Sequence, residues 1–272
     1  MDPALGQTAQ GICEGVPLRT DVGTVSESCG AKMFSLFLLL TLIGVIFLTQ
    51  RLQQLLHNIP QRYWISLGGG ISLAYVFTAF LAEVTELQQH LMPVEVPVLG
   101  YLIEHIHLLM LLGIVTVYGL EGLAQSSKQE ALLHPRIFAV HMGFFALYSL
   151  LLGYLLRHTV QEWLSCLLLT FALAIHLSIV CKDLFEHHPH LFHRQGRWLL
   201  GGSLFVGWLM GQRAILPEIA LAASIAFVAG VLIFQVLKHE LPETEGHFGA
   251  FLAGVVGFGG LLVAITLVRI WE

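Results

Sequence analysis

Charge is scarce in this sequence. Only 13 Lys and Arg and 18 Asp and Glu stand among 272 residues, 11% in all, where soluble domains carry about 25%. The net charge of −5 provides no basic face, which excludes nucleic acid as a partner. Cysteine is sparse too: Cys13, Cys29, Cys166 and Cys181 form no Cys-x-x-Cys pair. Cys166 and Cys181 fall in one apolar segment and read as small hydrophobes. Cys13 and Cys29 share a polar tail, where they are free to pair if that tail faces an oxidising compartment. Polar sequence is itself confined mostly to residues 1–32, rich in Gly, Ser and Thr and without an apolar stripe. These residues are expected to be a disordered tail ahead of a single helical domain over 33–272.

What fills the rest is apolar. Hydrophobic residues make up 56% of the chain and the mean hydropathy is +0.77. Crossing the hydrocarbon core takes roughly 20 apolar residues as a helix. Eight segments qualify: 33–49, 64–82, 98–120, 137–156, 162–181, 198–216, 218–237 and 248–268. Turn residues separate them, among them Pro60, Pro93, Pro97, Pro135, Pro189 and Pro242. No small-residue cleavage pattern follows the first, where Gln50 and Arg51 stand, so it is kept as a span rather than a signal peptide. The expected fold is all-α, a polytopic membrane protein with about eight transmembrane helices.

The cations set an orientation. The loops after spans one, three, five and seven hold Arg51, Arg62, Lys128, Arg136, Lys182, Arg194, Arg197 and Lys238. The opposite side holds Arg157, Arg213 and Arg269, with Arg19 and Lys32 in the tail. Both termini are therefore expected outside, in a bacterial inner membrane or a plasma membrane. The second and seventh spans also share a pattern: Gly70-Ile71, Val76-Phe77, Leu81 and Glu83 match Gly230-Val231, Val236-Leu237, Leu241 and Glu243. Between spans of opposite direction, such a match suggests an inverted repeat of spans 1–3 and 6–8.

Fourteen histidines are unusual in a chain this apolar, because imidazole is costly in hydrocarbon. Glu83 ends span two near the outer face. Glu104 and His107, spaced i, i+3 in span three, share a helical face and suit either a cation or a buried hydrogen bond. His141 and His176 lie at similar depth in consecutive antiparallel spans and read either as metal ligands or as core hydrogen-bond donors. On the inner side, His187, His188, His190 and His193 form a short tract of the kind that binds borderline metals weakly. His239, Glu240 and Glu243 close span seven on that side. A cation crossing the membrane would meet these groups in turn.

The run Ala226-Phe227-Val228-Ala229-Gly230 through His239-Glu240-Leu241-Pro242-Glu243 resembles the seventh span of the ZIP (Zrt/Irt-like) divalent-metal transporters. Gly70 through Glu83 is a fainter echo in span two. The resemblance implies eight spans, external termini and an inverted repeat. The family's ligands come mainly from spans four and five, in patterns like His-Asn-x-x-Asp/Glu-Gly and His-Glu-x-x-His. Here those places read His141-Met142-Gly143-Phe144-Phe145-Ala146 and His176-Leu177-Ser178-Ile179-Val180, so only His141 and His176 correspond, and the carboxylates are missing.

The expected function is transport of a divalent cation of the zinc, iron or manganese class by alternating access. The cation is substrate, and no organic cofactor is implied. The expected partners are the lipid bilayer and the cation, with a homodimer compatible. Two other readings remain open at this point: a membrane metalloenzyme held by histidines, and an assembly or sensor protein without transport.

Overall fold

Hydrocarbon offers no hydrogen bonds, so an apolar run of membrane length must satisfy its backbone internally, as a helix. In the computed structural model of the chain, every element among the described residues is a helix. The structure describes residues 29–55, 60–91, 104–127, 134–158, 163–187, 191–213, 216–240 and 247–271, apart from some side chains near the helix ends.

Helix α1 is Cys29–Leu55. Helix α2 runs from Gln61–Tyr75 through a π segment, Val76–Phe80, into Leu81–Leu91. Then come α3 (His107–Ser127), α4 (His134–His158) and α5 (Trp163–His187). Helix α6 opens on a second π segment, Phe192–Gly196, and continues over Arg197–Arg213, before α7 (Glu218–Glu240) and α8 (Phe248–Trp271). Five stretches are long and apolar enough to cross a membrane: Arg62–Gln89, Phe138–Leu156, Cys166–Phe185, Glu218–Lys238 and Phe248–Val268. Helices α1 and α3 carry shorter apolar stretches, Phe34–Thr49 and His107–Leu123. The Arg197–Arg213 part of α6 has 17 residues and is not among them.

Residues Ser35–Glu272 form one unit. The preceding unit is described only from Cys29, where α1 begins inside the last residues of the segment read as a tail. Residues 1–28 lie outside the described ones.

Local chemistry fixes the helix ends. Pro60 stands at the N-cap of α2 with φ −51°, and Pro217 accepts the Ala220 and Leu221 amides at the start of α7. Both use proline where its missing N–H costs nothing. His247 caps α8: its Nδ1 accepts the Ala250 amide at 3.1 Å, and its own amide donates to Ser66 Oγ at 2.9 Å. Tyr63 stacks on the same ring, with centroids 4.2 Å apart. Several hydroxyls inside the helices bond back one turn, as Thr49 does to Val45 and Ser178 to Ala174, and so meet their donor need within the helix.

Burial separates the helices by role. The apolar window of α5 is 72% buried and that of α8 only 11%. Helix α5 is therefore the centre of the bundle, and α8 turns most of its surface outward.

The three most intimate helix pairs are α2 with α8, α3 with α7 and α4 with α6. Each closes on glycine, whose missing side chain lets backbones touch. A Cβ on Gly153 would strike the Leu204 carbonyl, and one on Gly207 the Leu150 carbonyl. On the α2 and α8 pair, Gly70 lies against the Phe251 carbonyl, while Gly254 lies against the Leu67 carbonyl and Ile71 nitrogen. On the α3 and α7 pair, Gly230 lies against the Met110 carbonyl, while Gly113 lies against the Phe227 carbonyl and Val231 nitrogen.

These last two sets correspond residue by residue. Leu67, Gly70 and Ile71 step to Phe227, Gly230 and Val231 by 160 residues each. Met110 and Gly113 step to Phe251 and Gly254 by 141.

Candidate functional site

Three charged side chains from three helices meet near one end of the bundle. Lys238 Nζ on α7 donates to Asp183 Oδ2 on α5 at 2.7 Å and to Glu121 Oε2 on α3 at 2.8 Å. The side chains of Lys238, Glu121 and Asp183 are 17%, 10% and 6% exposed. Charges so enclosed survive only when paired and hydrogen-bonded. One ammonium against two carboxylates leaves a formal charge of −1 at the cluster. Gln235 lies one turn before Lys238 on α7, is 2% exposed, and its Oε1 has no partner.

Sequence reasoning missed the two carboxylates, and the reason is visible. The predicted spans end at residues 120 and 181, one residue before Glu121 and two before Asp183. Lys238 falls one residue beyond the predicted end of span seven, at 237. In the structure α3 continues to Ser127, α5 to His187 and α7 to Glu240, so all three charges sit on helix. An apolar scan stops at the first charge, whereas a mutually neutralising cluster continues the buried helix beyond it.

His141 and His176 are both buried, at 2% and 1% exposure. Their neighbours differ. His176 Nε2 shares a 3.0 Å hydrogen bond with Tyr148 Oη of α4. His141 packs its ring 5.2 Å from Phe145, which continues edge-on to Tyr148 at 6.3 Å. Residues 141, 145 and 148 thus form one aromatic face of α4, along which Tyr148 stands about 10 Å from His141 at the 1.5 Å rise of a helix. An imidazole bonded through Nε2 to a phenol must give up the Tyr148 bond to bind a metal through that nitrogen. His176 and Asp183 are spaced i, i+7 and share a face of α5. That face therefore carries an imidazole and, two turns on, the carboxylate held by Lys238.

The other expected ligands are spread out. Glu83 is half-buried on α2, three residues past its π segment; such π turns are frequent at functional sites. Glu104 and His107 are both exposed, and a turn at His105 and Ile106 separates Glu104 from the start of α3 at His107. The Glu104 carbonyl accepts Gln88 Nε2 of α2 at 2.8 Å. His193 is exposed in the π segment that opens α6. His187 ends α5, and His239 and Glu240 end α7, with backbones described and side chains not. His188, His190 and Glu243 lie outside the described residues. Among the described residues, no three of His, Cys, Asp and Glu gather as a metal site would require.

A cleft of about 370 Å³ opens towards the other end, lined by Tyr75, Thr78 and Ala79 of α2, Leu168 of α5, and α8 residues from Leu262 to Leu267. The steps of 160 and 141 residues that relate the glycine contacts also carry Thr78 to Lys238 and Glu121 to Leu262. The cleft therefore occupies, among α2 and α8, the place that the ion cluster occupies among α3 and α7.

Among the described residues, fold and site together define a helical protein with several helices suited to a membrane and an ion cluster buried between them. No protein family, curated protein or solved structure matches it.

Proposed function

We propose that the protein is a carrier of divalent cations of the zinc, iron or manganese class, working by alternating access between two inverted halves of an eight-helix membrane domain. The observation that carries this reading is the glycine correspondence. One packing of α2 on α8 recurs as α7 on α3, with carbonyl for carbonyl and glycine for glycine. With eight crossings, α2 and α7 run in opposite directions, so the recurrence is an inversion. Inverted repeats are the architecture of many carriers, whose cargo sites lie near the repeat interface. The resemblance of the seventh span to the ZIP family points the same way.

In this reading the cation enters past Glu83, Glu104 and His107. It passes His141 and His176 at the centre and leaves past His187, His188, His190, His193, His239, Glu240 and Glu243. Neutral imidazole suits zinc and its neighbours. His176 must release Tyr148 to bind through Nε2, so the phenol competes with the cation and keeps the site weak enough to discharge.

The test is zinc entry into liposomes that contain the purified protein and a trapped zinc indicator. Entry should exceed that of empty liposomes and fall about ten-fold in His176→Ala, the effect of about 1.4 kcal/mol. Entry no faster than in empty liposomes, with manganese and ferrous iron also excluded, would sink the proposal.

A further inference from the structure

We propose that Glu121, Lys238 and Asp183 form an ion latch that holds one end of the bundle shut and must open during each access change. This rests on the alternating-access reading above. In that reading α3 belongs to the first half, α7 to the second, and α5 to the pair between them. One ammonium therefore ties α5 to the closely packed α3 and α7.

Three observations carry the latch. Its bonds of 2.7 and 2.8 Å reach across helices of unequal intimacy: α3 and α7 pack closely, but α5 and α7 hardly approach each other by backbone among the described residues. The Lys238–Asp183 bond is therefore a principal tie between α5 and α7 at this end. Next, the equivalent place at the other end has Thr78 and Leu262 in the positions of Lys238 and Glu121, and there a cleft of about 370 Å³ stands open. An ion cluster closing one end and a cleft at the related position of the other are what one access state of an inverted repeat would show. Last, Gln235 Oε1 is buried one turn from Lys238 without a partner, so an alternative acceptor stands within the latch's own helix face. When Lys238 leaves Asp183, Gln235 and Glu121 remain to receive the ammonium.

The latch is testable without cargo. Val180 lies one turn before Asp183 on the same face of α5 and is 2% exposed; Cys166, near the other end of α5, is 1% exposed. Val180→Cys is the reporter and Cys166 the reference, with Cys13, Cys29 and Cys181 replaced by Ser. The purified protein is treated in detergent with a cationic methanethiosulfonate, and modified peptides are quantified by mass spectrometry. With the latch intact the reporter should be nearly inert. In Lys238→Gln it should react about ten-fold faster, the least that losing a charged hydrogen bond does to an opening equilibrium, while Cys166 stays inert.

Asp183→Asn keeps a neutral Lys238–Glu121 pair and serves where Lys238→Gln does not fold; it should give a smaller rise at the reporter alone. A reporter as inert in Asp183→Asn as in the parent would overturn the latch. So would equal labelling of reporter and Cys166, because the cluster would then be only a staple of the fold. A responsive reporter in a protein that moves no cation rejects the transport reading and spares the latch, whereas cation flux with a silent reporter rejects the latch alone.

Discussion

At the scale of single residues, the decisive feature is a lysine whose partners come from two other helices. Removing Lys238 alone leaves two buried carboxylates facing each other, a change that typically costs about 3–5 kcal/mol. Lys238→Met should therefore lower the thermal midpoint in detergent sharply. Adding Asp183→Asn and Glu121→Gln should restore most of that loss, because no uncompensated charge remains. A triple variant as unstable as the single one would mean that the lysine stem, not its charge, holds the site. Sequence reading found His141 and His176 because a histidine inside an apolar run stands out. It passed over Glu121 and Asp183 because they lie just outside such runs, and only the fold shows that one lysine answers both. Tyr148, the partner of His176, was equally silent, since a tyrosine in an apolar helix announces nothing about what its hydroxyl meets. His247 shows the reverse, a histidine whose visible work is capping α8.

At the scale of helices, glycine decides which pairs close. Gly70 and Gly230 each face a carbonyl of the partner helix, with no flexible side chain to yield, whereas Gly257 has nothing within 4 Å. Gly70→Ala and Gly230→Ala should each destabilise by about 1–3 kcal/mol, the usual cost of overpacking, and Gly257→Ala should leave the melting curve where it was. Similar losses at Gly70 and Gly230 would agree with equivalent roles. A loss at only one of them would show that the two contacts are not equivalent.

The positions of these helices were largely legible. Every predicted segment overlaps a helix among the described residues, because a run of apolar residues near membrane length admits little else. The start of the third segment lies outside the described residues, and the turn at His105 and Ile106 before α3 was not legible because hydropathy runs on across it. The two π segments were also invisible, because one wide turn leaves the apolar pattern almost unchanged.

At the scale of the whole molecule, the account rests on the relation between α2 with α8 and α7 with α3. The sequence pattern linking Gly70 to Gly230 hinted at it. The structure adds the matching partners on α3 and α8, which no pattern within a single helix contains. If that relation serves alternating access, the protein must behave as a carrier and not as a pore. Counterflow separates the two most directly. Liposomes holding the protein are loaded with unlabelled zinc, diluted into a trace of labelled zinc, and followed in time. A carrier returning from each outward trip with a labelled ion accumulates label inside above its external concentration, then loses it; this overshoot is the predicted result. Label that rises only to the external level, or that never enters, would contradict alternating-access transport of the divalent cation.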